Sequence, residues 1–229
     1  MRVEHQLLLF WVLFAGSHLL GSSAAVRARL ISGLGLWGFK VTYSLVALAT
    51  LTPLVLIYWN NRHEGELLFE PDRWAVRVTE LIMLPAAFFL VMAFATSNPA
   101  TTHAELRRRF VSSPKGIHRI TRHPMNTAFG LFGLAHMVSN PTVGDWIFWG
   151  GFLVYAVVSA VHQDRRTLAS GPDAFRAFYQ ETSIVPFVAI LQGRQRLALR
   201  ELRWSYAAGA LLLFAVVRWI HPRWIGGFG

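Results

Sequence analysis

Apolar residues along this chain gather into long blocks, and the polar residues between them are short in number and mostly basic. Crossing a bilayer takes about 20 consecutive apolar residues. The pattern predicts six spans on that scale, near 6–25, 39–59, 75–95, 125–140, 146–162 and 204–220, with the fourth and fifth short. The fold class that follows is all-α: a single polytopic transmembrane helix bundle over 1–229, with short amphipathic helices on one face and no soluble second domain, repeat or low-complexity run. The first span lacks a basic leader, carries His18 mid-span and runs into Val-Arg-Ala-Arg. It therefore reads as a retained helix rather than a cleaved secretory signal.

Two connections are long enough to hold structure. After the fifth span, Ser170-Gly171-Pro172 followed by Asp173 predicts a helix start, because proline suits the first turn and an acid suits the positive end of the helix dipole. Phe175, Phe178 and Tyr179 then share one face, which predicts a short amphipathic helix against the membrane or the bundle. Gln192 to Arg203 is a second candidate for the interface.

Charge gives the topology. Of the 229 residues, 54% are hydrophobic and 15% charged, and the formal net charge is +10. In a soluble chain that excess would suggest nucleic acid, but no recognition motif is present, and the basic loops of a membrane protein explain it. The connections after spans one, three and five, with Lys40, hold 16 of the 22 lysines and arginines. The other face holds six, Arg2, Arg62, Arg73, Arg77, Arg218 and Arg223. By the positive-inside rule the first set is cytoplasmic and both termini lie opposite. The absence of cysteine removes disulfides, thiolate metal sites, cysteine nucleophiles and iron–sulfur clusters together.

Nine histidines remain as candidate chemistry. His5, His63, His103 and His221 fall in loops or at span ends, where a solvated imidazole is ordinary. His18 and His136 lie inside spans, where an ionisable group is costly and usually pairs, lines a cavity or binds something. Counted at about 1.5 Å per residue from opposite faces, both rings fall in the middle third of the bilayer and could face each other. Gly21 beside His18 and Gly133 beside His136 leave room next to each ring. Small residues also let helices pack closely, with each histidine bonding across an interface. Two neutral imidazoles across a bundle core suit axial ligation of a haem iron, with Arg119, Arg122, Arg165, Arg166 and Arg194 as cations for its propionates. A bare zinc site would want more ligands than are in view. A proton relay is a further possibility, although His162, Asp164 and Glu80 sit near enough to an interface to be solvated.

Several segments carry a resemblance. Arg122-His123-Pro124-Met125-Asn126, Ala135-His136, Asp164-Arg165-Arg166, the run SIVPFVAILQGRQ from Ser183 to Gln195, and Gly16-Ser17-His18 together resemble the NnrU family, to which plant zeta-carotene isomerase is related. The likeness covers essentially the whole chain. It implies a multi-pass protein of a bacterial inner membrane linked to nitrite and nitric oxide metabolism. By way of the isomerase it implies haem b and a redox-dependent isomerisation of a cis double bond in a hydrophobic substrate. The two histidine ligands of the isomerase correspond by motif position to His18 and His136; the candidate cofactor-binding residues on the cytoplasmic rim are Arg122, His123, Arg166 and Arg194. The isomerase pattern has a cysteine three residues before the second histidine, and this chain has Gly133 there. A non-catalytic membrane accessory or sensor is the alternative reading.

A more distant resemblance points to different chemistry. An RHP motif after a basic loop is similar to membrane methyltransferases of the isoprenylcysteine carboxyl type, in which that segment binds S-adenosylmethionine. Here Asn126 stands where those enzymes have tyrosine, and Gln163 to Arg166 replace their later acidic residues. Taken by their composition alone, Arg122, His123 and Pro124 describe a helix start at the membrane surface, with the arginine and histidine among the headgroups.

Overall fold

The computed structural model describes residues 1–70, 72–96, 113–170 and 173–224. Helix α1 is Val3–Ser22 and α2 is Ala24–Asn60. Helix α3 is Arg73–Ala95, α4 is Pro124–Ser139 and α5 is Val143–Ser170. Two short helices follow, α6 at Asp173–Glu181 and α7 at Val188–Leu191, and α8 is Trp204–Trp224. Five of these, α1, α2, α3, α5 and α8, are long and apolar enough to cross a membrane. With 16 residues, α4 reaches only about 24 Å, but it is walled in by α3 and α5, so it need not meet lipid at both ends. All six predicted spans are therefore helices.

The bundle is ordered by its neighbours. Helix α1 packs on α2 and α5, α5 on α4, α4 on α3, and α3 on α8. Outward residues such as Trp37, Leu48, Leu81, Phe94, Val154 and Leu212 are exposed and apolar, as a lipid-facing surface requires. Hydrophobicity drives little helix association inside a bilayer, so close packing does the work, and small residues permit it. Gly130, Gly133, Ala128 and Ala135 form the buried side of α4. A Cβ on Gly133 would lie 2.4 Å from the Trp149 carbonyl oxygen of α5. That position has no room for the cysteine of the isomerase pattern.

Helix α2 extends further back than the predicted second span because the segment from Ala24 is helical too, and it bends at Gly35, whose φ of 69° breaks the regular spiral. Pro53 and Pro85 sit inside α2 and α3. On the face opposite that break, Leu68 N–H donates to the Pro141 carbonyl and Val143 N–H to the Glu66 carbonyl, joining the α2–α3 connection to the α4–α5 turn.

Helix α6 packs on the bundle rather than lying free on a membrane: Phe175 and Phe178 are fully buried, with Leu168 of α5 against them, while Tyr179 stays at the rim. Gln192 to Arg203 is mostly irregular, with a single 3₁₀ turn at Leu199–Glu201, so the interfacial helix expected there is not formed. Arg119 pins this stretch instead, donating to both Glu201 carboxylate oxygens at 2.8 Å and to Gln195 Oε1 at 2.7 Å.

The Arg119 guanidinium and the Gly116 N–H hold the Glu201 carboxyl down to about 2. A carboxyl whose folded value is depressed stabilises above its unfolded value and loses that contribution as pH falls toward the folded one. The protection factor of the Gly116 amide, with the intrinsic pH dependence of exchange divided out, is thus expected to be constant above pH 5 and to fall between pH 4.5 and 2, with Glu201→Gln flattening the profile.

Candidate functional site

Polar chemistry collects in three places. The first is the N-terminal end of α4, where Pro124 occupies the first helical turn and the preceding residues fold inward. Arg122 and His123 are 4% and 1% exposed, and Asp164 of α5 is 3% exposed. His123 Nε2 lies 2.8 Å from Asp164 Oδ1, and Arg122 Nη2 lies 3.0 Å from Asp164 Oδ2. Arg122 Nη1 donates to the Tyr179 carbonyl at 2.7 Å and to Thr182 Oγ1 at 3.0 Å, and its guanidinium sits over the Tyr179 ring. Burial pulls the guanidinium below its ordinary value while Asp164 opposes that shift. The expected headgroup placement of Arg122 and His123, and the solvated Asp164, are both overturned: these charges are buried because each supplies the other's partner. The cluster ties α4, α5 and α6 together.

Of the other basic residues assigned to a cofactor, Arg194 donates to the Gln180 and Thr182 carbonyls at 2.5 and 2.8 Å, and Arg166 to the Ser22 carbonyl at 3.2 Å. The terminal nitrogens of Arg122 and Nη1 of Arg194 are thus engaged by the protein itself, while Arg122 Nε is buried without a partner. His136 lies twelve residues beyond Pro124, about 18 Å along α4, so these residues and His136 do not form one site.

The second place is the surroundings of His136. Its Nδ1 is 2.8 Å from the Phe132 carbonyl one turn back, which makes it the donor and leaves Nε2 as the open lone pair. Its ring stacks on Trp149 of α5 at 4.0 Å with 23° between planes. Trp149 is itself fixed: its indole N–H donates to Tyr58 Oη at 2.8 Å, and Tyr58 donates to Asp145 Oδ1 at 2.9 Å. Asp145, fully buried, accepts from the Thr142 N–H at 3.1 Å, and Thr142 Oγ1 accepts in return from the Asp145 N–H at 3.2 Å. His63 Nδ1 reaches the other side of the same carboxylate at 3.4 Å. A histidine locked through Nδ1 and braced by a hydrogen-bonded relay is the arrangement of a metal ligand with its supporting shell.

The third place is His18. Its ring meets Tyr43 of α2 at 4.3 Å, Phe14 at 5.3 Å and Tyr155 of α5 at 5.9 Å. Tyr155 and Trp149 are six residues apart on α5, about 9 Å along its axis. Between the two histidines runs a line of touching rings, Phe14, Trp11, Phe152 and Phe132, with successive centroids 5.9, 5.1 and 5.7 Å apart. Two imidazoles on opposite sides of one iron need metal–nitrogen bonds of about 2 Å and hence ring centres about 6 Å apart. In this packing the space between His18 and His136 is lined by those four rings. Of the two imidazoles, His136 has its Nδ1 committed to the Phe132 carbonyl and its ring stacked on Trp149, so Nε2 is the nitrogen that would hold a haem.

Sequence reasoning missed Asp145, Tyr58 and Trp149. One signal was present: Thr142-x-x-Asp145 at the start of a span is a reciprocal N-cap pattern, which buries its acid when the helix end is covered. His221, taken for an ordinary span-end residue, lies with its ring 6.4 Å from that of His136. His103 falls outside the described residues, as do Arg107, Arg108 and Arg109 of the basic face.

Long apolar helices packed in a row, buried polar groups paired at one end and a braced histidine within the packing define a multi-pass α-helical membrane protein. The family model described as NnrU protein matches residues 6–227, and the chain belongs to that family. It is 28% identical over 203 residues to 15-cis-zeta-carotene isomerase, chloroplastic, of Zea mays, covering 85% of this chain and 52% of that protein. To the protein of the same name from Arabidopsis thaliana it is 25% identical over 200 residues, covering 82% of this chain and 50% of the relative. The chain thus spans about half the length of these curated relatives. No solved structure matches it.

Proposed function

We propose that this protein is a membrane-embedded isomerase acting on a hydrophobic polyene with a cis double bond, at a haem b carried by His136. The observation that carries this reading is the His136 imidazole: Nδ1 is committed to the Phe132 carbonyl and the ring is clamped on Trp149, which leaves Nε2 to bind a ligand. The similarity to proteins named 15-cis-zeta-carotene isomerase supplies the reaction class. When bound, haem supplies a redox-responsive iron able to accept electron density from a polyene.

The chain's own residues do the rest. Phe132 fixes the His136 tautomer and direction, and the Asp145–Tyr58–Trp149 relay keeps the ring from turning, so little reorganisation is needed when the site is used. The apolar residues around it, Phe132, Trp149 and Phe152, exclude water and present a surface on which an extended hydrocarbon can lie. Membership in a bilayer gives such a substrate its route, since it is already dissolved in the lipid.

In orientation, the basic face carrying Arg119, Arg165 and Arg194 is cytoplasmic and the His136 end of α4 lies toward the opposite side. The test is turnover by the purified protein in lipid nanodiscs, oxidised or reduced with dithionite, on a 15-cis polyene. Redox-dependent conversion to the trans form, reduced at least tenfold by His136→Ala, is expected. A protein that retains haem yet converts no polyene in either redox state is instead the accessory or sensor linked to nitrogen-oxide metabolism.

A further inference from the structure

Tyr58 is placed unlike the other tyrosines of the chain. Among the described residues it is the one whose hydroxyl donates to a carboxylate, Asp145 Oδ1, at 2.9 Å. Tyr43 donates instead to the His18 backbone carbonyl, which cannot keep a proton, and Tyr179 and Tyr206 are more than a third exposed. Tyr58 is 6% exposed, and Asp145 is fully buried. The second carboxylate oxygen, Oδ2, accepts from the Thr142 N–H at 3.1 Å and faces His63 Nδ1 at 3.4 Å, which turns Oδ1 toward the phenol. Bracing the start of α5 needs Thr142 and Asp145. It does not need a phenol and an indole in line behind the acid.

A phenol that gives up an electron becomes a strong acid, so its oxidation inside a protein is feasible where a base lies within hydrogen-bond reach of its proton. Asp145 is such a base. When the electron leaves and the proton crosses to the carboxylate, the pair passes from one negative charge to none, a change that a low-dielectric interior favours. On its other side Tyr58 Oη accepts from Trp149 Nε1 at 2.8 Å, with the rings 5.4 Å apart and edge-on. Trp149 in turn stacks on His136 at 4.0 Å. His136, Trp149 and Tyr58 therefore form an unbroken series of touching rings that ends at a proton acceptor. Phe148 lies flat on Tyr58 at 3.9 Å with 1° between planes, which shields that ring from water.

We propose that Tyr58 is a redox-active tyrosine, with Asp145 as the acceptor of its proton and Trp149 as its electronic connection to His136. A one-electron oxidant acting at the His136–Trp149 stack takes an electron from the indole and is itself reduced by one electron. Tyr58 returns an electron to Trp149, its O–H bond breaks, and an O–H bond forms on Asp145 Oδ1. The products are a neutral phenoxyl radical, a protonated Asp145 and the reduced oxidant, and an electron given back to Tyr58 reverses the step. An oxidising equivalent thus comes to rest on a buried ring, away from the histidine and from any apolar substrate beside it. This deepens the redox-dependent reading of the His136 site, yet the residues that carry it belong to the chain and none of these steps requires haem.

The experiment uses the full-length protein in nanodiscs, before any hemin is added, with tris(bipyridine)ruthenium(II) photo-oxidised by persulfate as the one-electron oxidant. Electron paramagnetic resonance of samples frozen after the flash is expected to show a tyrosyl radical. The signal should survive in Tyr179→Phe/Tyr206→Phe, which lacks the exposed phenols, and disappear when Tyr58→Phe is added. Asp145→Asn is expected to cut its yield at least fivefold, and Asp145→Glu, which keeps a carboxylate, to retain most of it. Because an O–H bond breaks in the step, radical formation in the wild type should slow at least twofold after equilibration in deuterium oxide. That isotope effect reads the proton transfer without relying on a variant that must fold. A tyrosyl signal that persists in the triple variant, an unchanged yield in Asp145→Asn, or formation indifferent to deuterium overturns the assignment. The radical in a protein that afterwards takes up no hemin supports Tyr58 while overturning the haem reading.

Discussion

Arg122→Ala is expected to destabilise the protein by about 3–5 kcal/mol, the cost of leaving one partner of a buried ion pair uncompensated. The carboxylate of Asp164 would keep His123 at 2.8 Å but lose the guanidinium at 3.0 Å, in surroundings only 3% exposed. The Tyr179 carbonyl and Thr182 Oγ1 would lose this donor at the same time, while the Thr182 carbonyl would keep Arg194. The fold should therefore open first where α6 meets α5. Proteolysis within Asp173–Glu181, followed in detergent, checks this. Arg122→Lys should recover only part of the loss, because an ammonium cannot reach Asp164 and two backbone carbonyls in the planar fork that arginine provides. Asp164→Asn is expected to resemble Arg122→Ala, whereas Arg165→Ala, at an exposed neighbouring position, should change stability little.

Gly151→Ala is the second large effect, and it arises from packing alone. A Cβ at Gly151 would stand 2.1 Å from Trp11 Cε2 and 2.4 Å from its Nε1. Trp11 cannot withdraw, because its buried ring is backed by Phe152 at 5.1 Å and Phe14 at 5.9 Å, edge-on to each. Overpacking of this kind typically costs about 1–3 kcal/mol, and here it falls on the contact between α1 and α5. Thermal unfolding should show it. The diagnostic is the double variant: Trp11→Leu removes the obstructing ring, so adding Gly151→Ala to it should cost much less than in the wild type. Gly133→Ala should behave like Gly151→Ala but without relief, since its obstacle is the Trp149 backbone carbonyl.

The parts of this architecture that depend on lipid were legible in the residues. Six apolar blocks gave six helices because burying a backbone in hydrocarbon forces helix formation whatever the local propensities. The helix start at Asp173 followed equally directly, and the buried face of α6 carries the two phenylalanines that its spacing marked. What the residues did not reveal is which helix stands beside which. Depth along a span can be counted, and by that count His18 and His136 were matched; neighbour order cannot, and α5 turned out to hold them on different turns, beside Tyr155 and Trp149. The same limit hid His221, which looks ordinary at the end of α8 until α3 is seen to grip both α8 and α4.

Arg122, His123 and Asp164 failed for a different reason. Each alone belongs at a membrane surface, and only their mutual contacts make burial affordable in free energy. The NnrU segments that identify the family thus include a structural latch at one end of α4 and a braced histidine toward the other.

The most direct measurement is the absorbance spectrum of purified protein, first oxidised and then reduced with dithionite, in the wild type and in His136→Ala. A Soret band that shifts on reduction in the wild type and is lost in His136→Ala is the expected result. A wild-type protein without a Soret band after growth with ample haem precursor, or a band that His136→Ala leaves unchanged, would contradict a haem carried on His136.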